Sequence, residues 1–150
     1  MKAKLMAQIT RSVLVRFSAM QMYELINDVE SYPEFLPGCV GGKVLEFDGE
    51  TMLASVDVSK AGISKTFTTR NHVIPGKLIK LALDSGPFKH LDGEWRFIEL
   101  AEDACKVEFE LSFEFSSALV EVAFGKIFKE LMGSMVTAFT SRAKVIYLND

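Results

Sequence analysis

The chain has 150 residues, a formal net charge of −3 and a hydrophobic content of 49%, including 12 Phe and 7 Met. This length favours one domain over residues 1–150 with a sizeable core, and the acidic balance argues against a DNA-binding protein. No apolar run reaches the roughly 18 residues of a membrane span, and the first ten residues lack the apolar stretch of a signal peptide. We therefore expect a cytoplasmic protein in which residues 1–6 form a loose tail.

An alternating segment opens the chain, and a capped helix follows it. Residues 7–17 alternate between apolar and polar side chains, which predicts a β-strand. Ser18 and Gln21 have the spacing of a capping box, so a helix should begin near Ala19. We expect this helix to end within residues 28–31.

The segment SYPEFLPGC, residues 31–39, combines two prolines with three large apolar side chains. Pro33 disfavours helical geometry at Tyr32, which should be extended or in a turn. The PEFL stretch can then form one further turn that ends at the second proline. Two interpretations remain open: the apolar side chains close over an apolar space as its mouth, or they pack onto the core as a rigid plug.

A series of short alternating segments follows and predicts about six antiparallel strands. They are separated by turns rich in Gly and Pro and cover residues 41–48, 51–59, 63–74, 77–84, 93–100 and 106–115. The last is the clearest, because strict alternation over ten residues is typical of a sheet with one buried face. The aromatic residues on that face are either plain core or the wall of a ligand cavity, which periodicity alone cannot distinguish.

From Ser117 onward, apolar residues recur at three- and four-residue spacing, which predicts one amphipathic helix ending near Tyr147. Its roughly 30 residues would span about 45 Å. Gly125 and Gly133 lie inside it, so either another backbone comes close there or the helix bends. The order of elements predicts an α+β fold in which a curved antiparallel sheet wraps around this helix, with two short helices after the first strand.

Basic residues are concentrated in the middle of the chain. Residues 58–91 carry a net charge of +5, with Asp84 as their only acid, and the remainder carries −8. Such polarity can mark contact with phosphate or an anionic head group, although a solvated strand face has the same pattern. The candidate anion-contact residues are Lys60, Lys65, Arg70, Lys77 and Lys80.

Residues with catalytic or metal-binding chemistry are sparse. Cys39, Cys105 and the two histidines have no short metal-ligand spacing, so we predict no metal site and two reduced thiols. No acid–base pair falls on inward strand positions. Lys65 shares the parity of inward residues, so either its stem packs while its ammonium reaches water, or it places a cation at a cavity mouth. We predict a protein that is not an enzyme and requires no cofactor.

Four segments carry a resemblance to a known family: DVESYPEFLPGC, VDVSKAGISKTFTTRN, SGPFKHLDGEWRF and AFGKIFKELMGSMVTAF. With the order of elements from Met6 to Tyr147, they resemble the coenzyme Q-binding branch of the START-like (polyketide cyclase/dehydrase) proteins. An acid would be expected in place of Ser85, a departure that leaves the resemblance intact. The resemblance implies a helix-grip fold with a hydrophobic tunnel and without catalytic machinery.

The resemblance also implies where a ligand would bind. The proline segment would form the tunnel mouth, Gly86, Pro87 and Phe88 would lie on a loop, and Trp95 and Phe97 would form part of the wall. With the inward apolar positions of the strands and the long helix, the candidate tunnel residues are Tyr32, Pro33, Phe35, Leu36, Pro37, Phe67, Phe88, Trp95, Phe97, Phe109, Phe113, Phe128, Leu131 and Met135.

Two functions of different classes follow from the resemblance. The broader family binds ubiquinone or another isoprenoid lipid and supports respiration, which would involve transient contact with the inner face of the membrane. A bacterial branch is described as a toxin that binds the large ribosomal subunit, blocks subunit joining and so inhibits translation. We predict the ribosomal role as the main function, lipid binding as the alternative, and a cyclase-like enzyme as a third interpretation.

Overall fold

Seven strands and three helices make up the protein in a computed structural model that describes residues 6–148. The predicted tail therefore lies outside the described residues, apart from Met6. The elements in chain order are β1 (Ala7–Val15), α1 (Ala19–Asn27), a 3₁₀ helix (Val29–Glu34), β2 (Cys39–Phe47), β3 (Thr51–Lys60), β4 (Ile63–Ile74), β5 (Leu78–Ser85), β6 (Phe88–Ala101), β7 (Ala104–Phe115) and α2 (Ala118–Tyr147).

All seven strands form one antiparallel sheet in the order β1-β7-β6-β5-β4-β3-β2. The first strand pairs with the last, so the chain must cross from one sheet edge to the other between β1 and β2. The helix α1 and the 3₁₀ helix make that crossing, and α2 packs with them against the same face of the sheet. The predicted fold class, a curved antiparallel sheet around a long C-terminal helix, is confirmed.

The start of α1 follows the predicted capping box. The Ser18 hydroxyl accepts a hydrogen bond from the Gln21 backbone N–H at 3.0 Å, and the Gln21 side-chain oxygen accepts one from the Ser18 N–H at 2.9 Å. These bonds satisfy two donors that a helix start leaves without partners. The local sequence alone is therefore enough to place this helix boundary.

The proline segment differs from its prediction. Tyr32 and Pro33 lie inside the 3₁₀ helix Val29–Glu34, so the extra turn begins earlier than Pro33. The Tyr32 ring is buried, and its hydroxyl donates a hydrogen bond to the carbonyl oxygen of Ile26. Burial and this bond hold Tyr32 in place, a tertiary effect that overrides the local preference for an extended residue before proline.

The strand β6 also differs from its prediction, because it begins at Phe88 rather than at Gly93. Phe88 therefore belongs to a strand, and only Gly86 and Pro87 remain on the predicted loop. Gly93 lies between Leu81 of β5 and Leu111 of β7 in the sheet. A Cβ added at Gly93 would lie 2.2 Å from the Glu110 carbonyl oxygen, so close approach of two backbones requires glycine there.

The helix α2 runs without interruption over 30 residues. A Cβ at Gly125 would lie 3.4 Å from the nearest atom, in the Glu121 side chain, and one at Gly133 would lie 3.4 Å from Arg11. Both nearest atoms belong to long side chains that can adjust, so close approach of another backbone does not explain these glycines. No break in the assigned helix accompanies them.

An aromatic cluster fills one end of the space between the sheet and α2. Phe128 is fully buried, and its ring centroid lies 4.8 Å from that of Phe88 and 4.9 Å from that of Phe113. The rings of Phe67, Phe115 and Phe124 also pack around it. Further along α2, Phe139 packs edge-on against Trp95, which stacks on Phe109. The alternating strand faces and the helical stripe thus meet as one core.

Candidate functional site

A small cavity interrupts the core between the sheet and the middle of α2. Its volume is about 60 Å³, enough for roughly two water molecules but below the 300 Å³ or more of a typical ligand pocket. The α2 side of the wall is Leu131, Met132 and Met135. Methionine side chains are unbranched and adaptable, so this side of the cavity can yield to a larger occupant.

The sheet side of the cavity carries polar groups among apolar ones. Five lining residues have a polar side-chain group: Tyr32, Cys39, Thr69, Asn71 and Trp95, whose indole carries an N–H. The Tyr32 hydroxyl is already bonded to the Ile26 carbonyl, and burial raises its pKa far above the ordinary range. Burial also raises the pKa of the Cys39 thiol, which contacts the Gly41 carbonyl oxygen at 3.4 Å. The Asn71 Oδ1 atom is buried and has no hydrogen-bond partner.

A surface cleft of about 210 Å³ adjoins this cavity. Leu131 lines both spaces and is 5% exposed, so its side chain forms part of the partition between them. Pro37 and Gly38 form one rim of the cleft. Lys60 and Glu130, whose charged atoms lie 3.4 Å apart, also line it. A ligand of modest size could enter here if Leu131 changed its rotamer.

The proline segment has one buried part and one surface part. Tyr32 and Leu36 are buried and line the inner cavity, whereas the half-buried Phe35 lines a surface groove along α2. The Phe35 ring packs edge-on against Phe139 at 5.3 Å, and the Arg142 guanidinium lies over its other side at 5.1 Å. The segment therefore combines the two interpretations, since it packs on the core and also borders the openings.

The structure brings half of the predicted tunnel residues together. Those that line the cavity are Tyr32, Leu36, Phe67, Trp95, Phe109, Leu131 and Met135. Phe35 and Pro37 line the outer groove, and Pro33 is exposed. The other four, Phe88, Phe97, Phe113 and Phe128, are buried in the core away from the cavity wall. The space is an interior cavity beside a cleft rather than a long tunnel.

Sequence reasoning missed the two polar side chains of β4 that line the cavity, Thr69 and Asn71. The signal was present, because both share the parity of Phe67 and Val73 on the inward face of that strand. Polar residue types are usual on solvent-facing strand positions, so residue type alone favours the outer face for both. Thr69 is 8% exposed and Asn71 is 4% exposed, which confirms the inward parity.

The basic window, residues 58–91, has fewer lysines and arginines available to a partner than its composition suggests, because several already form ion pairs. Within 4 Å, Lys60 pairs with Glu130, Arg70 with Asp84, and Lys89 with Glu114. Lys65 is half-buried beside Val58 of β3, whereas Lys77 and Lys80 are exposed. Only the last two combine full exposure with the absence of any ion pair among the described residues.

The outer face of the sheet next to this window is acidic, with one strong basic centre. The Arg96 guanidinium contacts Glu94 at 2.7 Å, Glu108 at 2.9 Å and Glu110 at 3.2 Å. Hydrogen bonds from Arg96 and Lys106 lower the pKa of the Glu108 carboxyl below its ordinary value. These groups neutralise one another on a solvated face, where such exposed ion pairs contribute little to stability.

Comparison with known proteins places this architecture in a family. A model of the family described as polyketide cyclase / dehydrase and lipid transport matches residues 15–140. The chain belongs to this family. A cyclase from Streptomyces sp. R1128, the Zhui aromatase/cyclase, has the same fold, with a TM-score of 0.80 at 20% identity over 95% of this chain and 98% of that one.

Two curated relatives of this chain are named for functions of different kinds. The ribosome association toxin RatA of Vibrio cholerae is 62% identical over 142 residues, which is 95% of this chain and 99% of the relative. The mitochondrial coenzyme Q-binding protein COQ10 homolog B of Xenopus laevis is 32% identical over 92% of this chain and 58% of its own length. The family thus includes proteins named for ribosome association and for coenzyme Q binding.

No group of three or more His, Cys, Asp or Glu side chains within residues 6–148 could hold a metal ion. Among the helices of the same range, none is both long and apolar enough to cross a membrane.

Proposed function

We propose that this protein associates with the large ribosomal subunit, blocks subunit joining and thereby acts as a toxin that inhibits translation. The observation that carries the proposal is the 62% identity to a ribosome association toxin over nearly the full length of both chains. With that identity over nearly the whole length of both chains, we expect a binding surface for the same partner to be retained. We further propose that it acts in the cytoplasm.

The proposed contact with ribosomal RNA lies at the start of β5, where Lys77 and Lys80 are exposed. His72 of β4 lies opposite Lys80 in the sheet and is exposed as well. The remaining basic residues of the window contribute less, because Lys60, Arg70 and Lys89 already have acidic partners. Free ammonium groups displace counterions when they contact phosphate, so binding should weaken as salt rises.

Sedimentation through a sucrose gradient tests this proposal. The wild-type protein should co-sediment with isolated large subunits at low salt and prevent their joining with small subunits. The double variant Lys77→Glu/Lys80→Glu should bind at least about tenfold more weakly, and the slope of log affinity against log salt should fall by about 2, one for each lost phosphate contact. The size of the 70S peak measures the block in joining.

A matched control carries the same change in charge on a different surface. Lys126→Glu/Lys129→Glu alters two exposed lysines of α2 and should leave binding unchanged. If wild-type protein stays at the top of the gradient at low salt, the proposed function is wrong. If only the α2 variant loses binding, the function stands and the footprint lies on α2 instead.

We also propose that the protein is not an enzyme. Among residues 6–148, no charged side chain lines the inner cavity, and its titratable groups, Tyr32 and Cys39, have pKa values raised by burial. Neither is available as a general base at neutral pH, since general bases work best with a pKa near the operating pH. A cyclase-like activity is therefore the least favoured interpretation, although the fold is shared with an aromatase/cyclase.

A second candidate function is the binding of ubiquinone or another isoprenoid lipid, with transient contact at the inner face of the membrane. The specific observation that favours it is the apolar cavity with an adaptable methionine wall beneath α2. Protein purified under native conditions should release a quinone or isoprenoid on solvent extraction, detected by mass spectrometry. An empty protein that also takes up no quinone in vitro would contradict this function and leave the ribosomal one standing.

A further inference from the structure

The Asn71 side chain is an anomaly in the core. It lies near the middle of β4, between Met52 of β3 and Leu81 of β5 in the sheet, and is 4% exposed. Its Oδ1 atom is buried without a hydrogen-bond partner, and it faces the cavity beneath α2. A buried amide oxygen without a partner is unfavourable, because it has lost its bonds to water and gained nothing in return.

The surroundings show that the missing partner must come from the cavity. The Oδ1 atom accepts hydrogen bonds, so it lacks a donor: Phe109 and Leu81 share the wall and have no polar side-chain atom, and the indole N–H of Trp95 does not bond to it. Of the other polar lining groups, the Tyr32 hydroxyl bonds to Ile26 and the Cys39 thiol contacts Gly41. Thr69, two residues before Asn71 on the same face, is the one polar side chain placed to assist at the same spot.

The chemistry of the wall limits what can bind. In the part of the chain that the structure describes, no lining residue is charged, so a carboxylate or ammonium group would be desolvated without a counter-charge, which is strongly unfavourable. A hydrocarbon would fill the space but would leave the Asn71 amide without a partner. A neutral hydroxyl group on an apolar body meets both conditions, because its O–H can donate to the Asn71 Oδ1 atom.

We propose that Asn71, assisted by Thr69, is the anchor for the single uncharged oxygen-bearing group of an otherwise apolar ligand. The ligand enters from the cleft bounded by Pro37 and passes Leu131, and Met132 and Met135 move to admit its apolar body. The proposal rests on the lipid-binding function and specifies it: the site selects neutral alcohols or phenols over hydrocarbons and fatty acids. Without a ligand, the Asn71 Oδ1 atom stays buried without a partner, and this loss of stability accompanies the selectivity of the site.

The test compares two probes of nearly equal size, p-cresol and toluene, which differ by one hydroxyl group. Affinities are measured by NMR titration of the full chain, wild type and Asn71→Leu. The ratio of p-cresol to toluene affinity should fall about tenfold or more in the variant, because only p-cresol can bond to the amide. Without ligand, Asn71→Leu should raise the melting temperature, since it removes an unpaired buried polar group and fills the cavity.

Asn27→Leu is the matched control. Asn27 lies on α1 outside the cavity, and its Oδ1 atom is also buried without a partner, so the chemical change is the same. This variant should leave the ratio of affinities unchanged. In the wild-type protein, p-cresol should shift the side-chain amide resonances of Asn71 more than toluene does. That measurement stands even if the variant fails to fold.

The outcomes separate this inference from the lipid-binding function on which it rests. Equal affinity ratios in wild type and Asn71→Leu overturn the role of Asn71 while leaving an apolar binding cavity intact. A lower melting temperature for folded Asn71→Leu also overturns it, because the amide would then be held by internal water as a structural group. Binding of neither probe by the wild type overturns both.

Discussion

Phe128→Ala is expected to lower the free energy of unfolding by about 3–5 kcal/mol, the range for removal of a fully buried aromatic side chain. Phe128 is 0% exposed, and the rings of Phe67, Phe88, Phe113, Phe115 and Phe124 pack around it. These rings come from β4, β6, β7 and α2, so the surroundings cannot collapse onto the vacated space without moving several elements. Urea unfolding followed by circular dichroism measures the change.

The same helix offers a control for this substitution. Leu119 is 78% exposed, so Leu119→Ala should change the free energy of unfolding by less than about 0.5 kcal/mol. A loss of less than about 1.5 kcal/mol for Phe128→Ala would mean that the aromatic cluster repacks, and that α2 is not held to the sheet by it. The difference in unfolding free energy between the two variants therefore measures how strongly the aromatic cluster holds α2 against the sheet.

Gly93→Ala is expected to destabilise the protein by about 3 kcal/mol, at the upper end of the usual range for overpacking. The added methyl group would lie 2.2 Å from the Glu110 carbonyl oxygen and 2.9 Å from the Leu111 Cα atom. Both obstacles are backbone atoms of β7, so strands β6 and β7 must separate where they pair. Thermal and urea unfolding should show the loss, with lower yields of folded protein.

Gly133→Ala is the control for that prediction. Its nearest neighbour would be the Arg11 guanidinium at 3.4 Å, and helix propensity favours alanine by about 1 kcal/mol, so the variant should be as stable as wild type or more stable. Wild-type stability for Gly93→Ala would show that the sheet can relax there. The close pairing of β6 with β7 would then not depend on this glycine.

Phe128 and Gly93 matter for the candidate site because each lies next to a residue that lines the cavity. Phe128 lies one turn before Leu131 on α2, and Gly93 pairs with Leu81, which lines the cavity. A variant that loosens either wall should enlarge the cavity and weaken the selection made by Asn71. Binding experiments on the site therefore need variants whose unfolding has been measured.

The sequence by itself determined the elements and their broad arrangement. The Ser18–Gln21 capping box placed α1, strict alternation identified β7, and three- and four-residue spacing identified α2 with its end at Tyr147. These signals are local, because caps and side-chain periodicities act within a few residues. The sheet has one apolar face and α2 has one apolar stripe, and each can be buried only against the other. The packing of the sheet against α2 therefore follows from the local patterns.

Only the tertiary structure decided which inward residues line a cavity and which are plain core. Phe88, Phe113 and Phe128 looked like Trp95 and Phe109 in the sequence, yet the first three pack together and the last two border the cavity. The distinction depends on how the strands pack against one another and against α2, as at Gly93, where the β6 backbone lies close to Glu110 and Leu111 of β7. Whether the Asn71 amide has a partner depends in the same way on groups brought together by folding, and no local pattern can express it.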